Sequence, residues 1–271
     1  MRILFVADLF GAAGRRALRD RLPDLNERYR PDFRIVNCEN AAGGFGFTGK
    51  IAEELFEAGF DVLTGGNHSW DRKESLPFLR DRDRVLRPAN FPAGTPGRGW
   101  GVYPIPSGGK IGVLNLMGRV FLEGADCPFR AADAVLPRIA RETPILFVDM
   151  HAEATSEKVA MGWHLDGRVS AVIGTHTHVQ TADERLLPGG TAYITDAGMT
   201  GPQDSVIGVK TELILKRFLT QMPVRFEAST RNPYVHGVVV DVDRETGRSL
   251  RIERIREPAA VETEEERSER E

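Results

Sequence analysis

The segment that decides the fold of this chain reads Gly174-Thr175-His176-Thr177-His178-Val179-Gln180. The run directly before it, Val169–Ile173, is apolar and partly β-branched, which predicts a buried strand that ends at the edge of a sheet. Two histidines separated by one residue can direct both imidazoles at one point when they lie in the turn after a strand. Such a pair also arises often by chance, so its meaning depends on what the other strand ends supply.

Four further predicted strands end in residues of types that bind metal ions. Each strand is almost entirely apolar, as expected when both of its faces are covered. Because loops at the carboxyl ends of strands in a twisted α/β sheet converge on one crevice, residues far apart in sequence can share a site there. The strands and the residues that follow them are Arg2–Ala7 with Asp8, Phe33–Cys38 with Glu39 and Asn40, Phe60–Thr64 with Asn67 and His68, and Pro144–Met150 with His151.

These strand ends supply carboxylate, amide and imidazole groups and no thiolate, a mixture suited to iron, manganese or zinc. Two neighbouring cations need a bridging ligand, and the Glu39 carboxylate is the candidate. Taken singly, several of these residues have structural explanations, since Asp8 and Asn67, for example, are of types common in turns. Their joint occurrence at successive strand ends favours a shared metal site. His164, in a predicted loop, and His236, inside a predicted strand, lie outside this pattern and are assigned structural roles.

Helices are predicted between most of the strands, and a hairpin closes the fold. The first helical segment, Arg15–Arg28, contains Pro23, a site for a kink or a break, so either one helix or two short ones are predicted. The other predicted elements are helices at Gly49–Ala58 with Thr48 as its N-cap, Lys73–Arg80, Arg130–Arg141, Thr155–Met161 and Val209–Leu219 with Leu213, Ile214 and Phe218 inward, strands at Lys110–Leu116 and Thr191–Thr195, and the hairpin Val235–Val242 with Leu250–Ile255.

The length suits one large α/β domain or two small ones, and the absence of an internal repeat and of an interdomain linker favours a single globular domain. The 271 residues carry 36 Lys and Arg against 39 Asp and Glu, a formal net charge of −3, and the basic residues are spread along the chain. No broad basic face and no stable complex with nucleic acid are therefore expected. Residues 1–256 are predicted to form the domain, with an irregular segment rich in Pro and Gly at 85–108, and the acidic residues 257–271 to form a solvated tail.

Cysteine usage and the N-terminus bear on the compartment. Cys38 and Cys127 are the only cysteines, which provides neither a disulfide framework nor a zinc-finger spacing and fits a reducing cytoplasm. The N-terminal apolar run is too short for a signal peptide or a membrane span. A cytoplasmic protein without a membrane partner is expected, and a homo-oligomer is left open.

The order of the motifs resembles that of the calcineurin-like metallophosphoesterases, over residues 8–180. Gly66-Asn67-His68 stands between an early acid and the late Gly-x-His-x-His motif, as in that superfamily. Finer details are similar to its YmdB-like branch, the bacterial 2′,3′-cyclic nucleotide phosphodiesterases. The resemblance implies an α/β fold, a layered α/β/β/α sandwich with the metal site at the carboxyl ends of the strands. The details that carry it are Asp8-Leu9-Phe10-Gly11, Glu39-Asn40-Ala41-Ala42-Gly43-Gly44, Gly66-Asn67-His68-Ser69-Trp70-Asp71, the His-x-His segment and Asp196-Ala197-Gly198-Met199-Thr200-Gly201-Pro202.

The resemblance also implies two metal ions per chain, with iron as the expected metal and manganese or zinc as alternatives. Phe10 stands where the wider superfamily has a histidine, and Glu39 replaces its bridging aspartate. Asn40 is expected to take over the lost ligand position. The implied ligands are Asp8, Glu39, Asn40 and His178 for the first ion, and Glu39, Asn67, His151 and His176 for the second.

The implied activity is hydrolysis of a small phosphodiester, and the family resemblance points to a 2′,3′-cyclic nucleotide as substrate. A water between the two cations would be the nucleophile, and His68, next to a ligand, is predicted to act as the general acid. The alternative role of His68 is to hold Asn67 or a carboxylate in place. Phe45, Phe47 and Trp70 are candidates for stacking on a base.

Three other functions share parts of this pattern. A metal-dependent amidohydrolase also has a His-x-His pair, but at the end of its first strand, where this chain has Asp8, so this class is rejected. A nuclease or protein phosphatase of the same fold would need the same ligands, and the sequence leaves it open. It also leaves open a non-catalytic regulator that keeps the metal site.

Overall fold

The computed structural model of the protein describes residues 1–259 and consists of two stacked β-sheets with helices on their outer faces. The elements in chain order are β1 (Arg2–Val6), α1 (Gly11–Tyr29), β2 (Phe33–Asn37), α2 (Gly49–Glu57), β3 (Val62–Thr64), α3 (Ser75–Asp81), β4 (Trp100–Pro104), β5 (Lys110–Met117), α4 (Pro128–Ile139), β6 (Leu146–His151), α5 (Thr155–Leu165), β7 (Ala171–Thr175), β8 (Arg185–Leu186), β9 (Ala192–Ile194), β10 (Gly201–Pro202), α6 (Thr211–Thr220), β11 (Pro233–Val242) and β12 (Ser249–Pro258).

Each sheet contains a set of adjacent parallel strands. In the first sheet β1, β2 and β3 are parallel, and β11 pairs antiparallel with β1, β10 and β12. In the second sheet the order is β4-β5-β6-β7-β9-β8, with antiparallel pairing only at the two ends. The carboxyl ends of the parallel strands of both sheets meet at one edge of the molecule, where the predicted ligands follow β1, β2, β3, β6 and β7.

Three apolar cores explain why the strands read as continuous apolar runs. Successive side chains of a strand point to opposite faces, and in β1 Ile3 and Phe5 face the second sheet while Leu4 and Val6 face α1 and α2. The middle core thus lies between the sheets, and each outer core lies under helices, with Leu136 of α4 in the third. This arrangement confirms the predicted layered α/β/β/α sandwich.

Most predicted elements are present, with ends that differ by a few residues. The N-cap at Thr48 is confirmed, because its hydroxyl accepts a hydrogen bond from the amide of Ile51 at 3.3 Å. The irregular segment at 85–108 contains β4, which pairs antiparallel with β5. Of the two possibilities left open for the first helix, the structure shows one continuous helix through Pro23.

Two details of the helices correct the sequence-based predictions. His164 was predicted to lie in a loop, but α5 continues to Leu165, whose fully buried side chain packs in the third core and carries the helix past Met161. Phe218 was predicted to face inward, but 69% of it is exposed, and only Ile214 of α6 is buried. In the part of the chain that the structure describes, α6 meets the fold along a narrow strip, so an apolar residue outside that strip stays at the surface.

The C-terminal boundary is described only in part. The hairpin of β11 and β12 is confirmed, and β12 continues to Pro258. Residues 260–271 of the predicted tail lie outside the described residues, so the division into a domain and a tail stays a prediction. No helix within residues 1–259 is both long enough and apolar enough to cross a membrane.

Candidate metal centre

The seven predicted metal ligands form a cluster at the carboxyl ends of the strands that consists of two adjoining groups of contacts, one around His151 and one around His178. Their donor atoms meet across the gap between the two sheets, although they come from segments up to 170 residues apart. The contacts are Glu39 Oε1 to His151 Nε2 at 3.1 Å, Asn67 Oδ1 to His151 Nε2 at 3.0 Å, His176 Nδ1 to His151 Nε2 at 3.0 Å, Asn40 Oδ1 to His178 Nε2 at 3.2 Å and Asp8 Oδ2 to His178 Nε2 at 3.8 Å.

The backbone of the cluster is strained in a way that aims its side chains. Asp8, His176 and His178 have positive φ angles of 24°, 101° and 66°. Residues other than glycine adopt such angles at a cost of about 1–3 kcal/mol each, and such strain concentrates at functional sites. The Asp8 carboxylate accepts a hydrogen bond from the amide of His176 at 2.8 Å, which holds the His-x-His turn in this conformation.

Three observations show that these residues fit a metal ion. Within residues 1–259, Asp8 Oδ1 is buried and has no hydrogen-bond partner, which leaves a carboxylate oxygen free for a ligand. Glu39, His151 and His176 each offer a donor atom, and these atoms lie within 4.8 Å of one another. A Cβ atom on Gly66 would overlap Glu39 Oε2 and the ring of His151, so only glycine leaves this space open.

The electrostatics of the cluster favour a positive charge at its centre. Burial alone would raise the pKa of Glu39, but the charge and hydrogen bond of His151 outweigh burial and lower it to about 2. Burial alone would lower the pKa of His151, but Glu39 and then Asp8 raise it to about 9. Burial and the charge of His151 lower the pKa of His176 to about 3. The carboxylates therefore stabilise a cation at the place where the donor atoms converge.

A buried network that the sequence analysis did not identify holds His151. Nδ1 of His151 lies 2.9 Å from the Thr175 hydroxyl, which donates to Asp149 Oδ1 at 2.7 Å. Asp149 also accepts from Asn37 and Thr64. This network places the proton of the neutral ring on Nδ1 and leaves Nε2 free to bind a metal. The sequence signal for it was a carboxylate inside an otherwise apolar strand.

The other two histidines are held in the same manner. His176 Nε2 lies 3.2 Å from Glu153 Oε2, so Nδ1 is the nitrogen that faces the cluster. His178 Nδ1 donates to the carbonyl of Ile207 at 2.9 Å, so Nε2 faces the cluster. Glu153 was not identified from the sequence, where the only signal was its place two residues after His151.

A buried ion pair contacts the His-x-His turn through Thr177 and stabilises it. Lys158 Nζ of α5 donates to Asp196 Oδ2 at 2.6 Å, and both side chains are 1% exposed. The same carboxylate oxygen accepts from the amide and hydroxyl of Thr177, which lies between the two histidines. Gly174 allows the close approach, because a Cβ atom there would overlap the carbonyl of Thr195. Lys158 was not identified from the sequence either.

The predicted general acid, His68, lies beside the cluster, and its ring contacts none of the predicted metal ligands. Its amide donates to Glu39 Oε2 at 3.1 Å, and its Nδ1 lies 2.7 Å from Asp71 Oδ2. The edge of the ring packs on Phe45, with 5.1 Å between the ring centroids. Of the three predicted stacking aromatics only Phe45 lies here, since Phe47 is buried in the first core and Trp70 packs on Phe91.

The fold and the cluster together define a metallophosphoesterase type of enzyme: two stacked sheets that carry carboxylate, amide and imidazole ligands at their common edge. Residues 4–255 match the model of the YmdB-like protein family, and the chain belongs to this family. The match confirms the predicted family and fold, and the Bacillus subtilis relative described next confirms the predicted classification as a phosphodiesterase.

Individual relatives agree over nearly the whole length. The chain is 52% identical over 255 residues to a 2′,3′-cyclic-nucleotide 2′-phosphodiesterase of Bacillus subtilis, covering 94% of this chain and 96% of the relative. A putative phosphatase/phosphodiesterase of Mycoplasma genitalium is 35% identical, covering 94% and 92%. A hypothetical protein of Thermus thermophilus superposes with a TM-score of 0.90 at 42% identity, covering 96% and 100%. A phosphatase of Mycoplasma pneumoniae superposes with a TM-score of 0.89 at 35% identity, covering 96% and 94%.

Proposed function

We propose that the protein hydrolyses 2′,3′-cyclic nucleotides at a centre of two metal ions. The observation that carries the proposal is the convergence of Glu39 Oε1, His151 Nε2 and His176 Nδ1 at one buried point. The Bacillus subtilis relative is named for this reaction, which supports the choice of substrate. Iron is the proposed metal by family resemblance, and manganese and zinc suit the same ligands.

The contacts among the ligands support a division between two ions. One group surrounds His178 and the other surrounds His151, so the two histidines of the His-x-His turn belong to different ions. Glu39 is the proposed bridge, because a carboxylate has two oxygens to share and this one is buried, with 1% of the residue exposed. The proposed ligands are Asp8, Glu39, Asn40 and His178 for the first ion, and Glu39, Asn67, His151 and His176 for the second.

In this proposal the metal ions and the protein side chains have separate chemical roles. When bound, the two ions would neutralise the phosphodiester oxygens and activate a water as nucleophile. His68 would protonate the leaving oxygen through Nε2, because Asp71 occupies Nδ1. The hydrogen bond from the His68 amide to Glu39 keeps this acid in register with the proposed bridging carboxylate.

A substrate panel tests the proposal. The metal-loaded protein is assayed on 2′,3′-cyclic and 3′,5′-cyclic nucleotides, on single-stranded RNA and on a phosphopeptide, with metal content measured on the same sample. We expect turnover of the 2′,3′-cyclic nucleotides above all others. Preference for RNA or the phosphopeptide would favour the nuclease or the protein phosphatase, and two bound metals without turnover of any substrate would favour the non-catalytic regulator.

A further inference from the structure

A cavity of about 430 Å³ adjoins the candidate metal centre on the side of His178. His178 and Ile207, which are joined by a hydrogen bond, form the border between this cavity and the metal centre. Its far wall comes from β11 and β12 and carries His236, Arg254 and Arg256. None of the proposed metal ligands except His178 lines this cavity, so it is a separate space next to the same site.

His236 is buried in this wall without a polar partner. It is 3% exposed, and neither ring nitrogen has a hydrogen-bond partner within the described part of the chain. Buried polar groups in native proteins are nearly always paired, because an unpaired one costs about 1–3 kcal/mol. Burial and then the charge of Arg256 lower the pKa of His236 to about 4, so the neutral ring offers one N–H donor. The structural role predicted from the sequence leaves both nitrogens unexplained.

The wall also carries two arginines, of which only one forms an ion pair within the described residues. Arg254 and Arg256 stand two residues apart on β12, so their side chains leave the strand on the same face. Arg254 is paired with Glu184 at 2.6 Å. Arg256 lies over the ring of Tyr234 at 5.1 Å and forms no ion pair with any residue of the range 1–259. No carboxylate lines the cavity among the described residues.

We infer that this cavity binds a second phosphate group of the substrate, on the part of the nucleotide that points away from the cyclic phosphodiester. The inference rests on the proposed function, because the cavity borders the metal centre at His178, beside the place where the cyclic phosphate would bind. Arg256 supplies the charge and His236 an N–H donor, a combination suited to phosphate oxygens. The phosphate is either the 5′-phosphate of a mononucleotide or the next phosphodiester of a short oligonucleotide.

Three substrates that share the reacting group separate these sources. They are adenosine 2′,3′-cyclic phosphate, the same compound with a 5′-phosphate, and a dinucleotide that ends in a 2′,3′-cyclic phosphate. The readout is the ratio of kcat/KM for each phosphorylated substrate to that for the first one. We expect a ratio of about 10 or more for at least one of them, the size of a charge-assisted hydrogen bond.

Arg256→Gln should bring this ratio close to 1. Arg251→Gln is the matched control, because it removes the same charge from the same strand, from a residue that does not line the cavity, and it should keep the wild-type ratio. A wild-type ratio near 1 for both phosphorylated substrates would overturn the inference, and so would an equal fall of the ratio in both variants. His236→Asn, which shortens the buried donor, should also reduce the ratio.

A binding measurement decides the inference if no substrate is turned over. In that case the proposed function fails, and calorimetric titration of the metal-loaded protein with adenosine 5′-monophosphate and with adenosine tests the cavity alone. Tighter binding of the monophosphate that Arg256→Gln abolishes would support the site. Binding that Arg256→Gln leaves unchanged would place the phosphate elsewhere, for example at the metal centre, and would overturn the inference.

Discussion

The histidines of the candidate metal centre are each held on the ring nitrogen that faces away from the other ligands. The Glu153 carboxylate holds His176, and the Ile207 carbonyl holds His178. Such partners fix the tautomer and the ring orientation, and their loss usually weakens metal binding or activity by about 10–100-fold. The residues around the proposed ligands therefore offer tests that leave every proposed ligand in place.

The first prediction concerns Glu153. Glu153→Gln keeps the size of the side chain but removes the charge that faces His176 Nε2. We expect the affinity for the metal ion to fall by about tenfold or more, measured by competition with a chelator. Glu142→Gln is the control, because it alters an exposed carboxylate that is paired with Lys110, and it should have no effect. Equal metal affinity in both variants would refute this role of Glu153.

The second prediction separates catalysis from metal binding at His68. His68→Ala should keep the wild-type metal content, because the ring of His68 contacts Asp71 and Phe45 and none of the proposed ligands. Turnover should fall by about 10²–10⁴-fold, the usual contribution of a general acid. Asp71→Asn should lower turnover less, again with metal content intact. Loss of metal from His68→Ala would show that the residue holds a ligand in place instead.

At the scale of elements, the buried pair of Lys158 and Asp196 joins α5 to the His-x-His turn. Lys158→Met leaves the Asp196 carboxylate buried without its counter-ion, and we expect the free energy of unfolding to fall by about 3–5 kcal/mol. The measurement is chemical denaturation. Lys210→Met is the matched control, because Lys210 forms an exposed pair with Glu227, and such solvent-screened pairs contribute little to stability. Equal losses in both variants would contradict the account.

The elements themselves could largely be predicted from the sequence. Strands covered on both faces contain few polar residues, so β1, β2 and β6 were evident as apolar runs, and the Thr48 cap located the start of α2. The position of β11 beside β1 could not be predicted, because it depends on pairs such as Arg2 with Asp241, far apart in the chain. Phe218 was wrongly predicted to be buried, because helical periodicity does not show which apolar face of a helix packs against the rest of the protein.

The proposed ligands were recognisable for a related reason. Asp8, Glu39 and His151 each follow or end an apolar strand, and the fold brings strand ends together, so their residue types and positions carried the information. Asp149 and Lys158 act through partners that only the packed structure brings near, so local sequence gave them no visible role. Supporting residues of this kind are the part of a site that sequence patterns miss.

At the scale of the whole molecule, the charge pattern predicts how stability depends on pH when the metal is removed. In the metal-free protein the pKa of His151 is about 9, above its ordinary value of 6.5. Its interaction with Glu39 therefore stabilises the fold fully below pH 6.5 and is lost as the pH rises through 9. We expect the chelator-treated protein to lose about 1–3 kcal/mol between these values.

Thermal unfolding at several pH values measures this loss. The metal-loaded protein is the comparison, because a bound cation competes with the proton on His151 and should flatten the dependence over the same range. A metal-free protein whose melting temperature does not fall from pH 6.5 to 9 would contradict the proposed charge balance of the cluster.

The most direct test of the central claim, a centre of two ions bridged by Glu39, is the number of metal ions per chain in Glu39→Gln, measured by elemental analysis beside turnover. We predict two ions per chain in the wild type and the loss of both ions and of turnover in Glu39→Gln. Glu157→Gln is the control, because Glu157 is also buried but accepts from the amides of Arg119 and Val120, and it should keep both ions. A Glu39→Gln variant that retains two ions per chain and full turnover would contradict the claim.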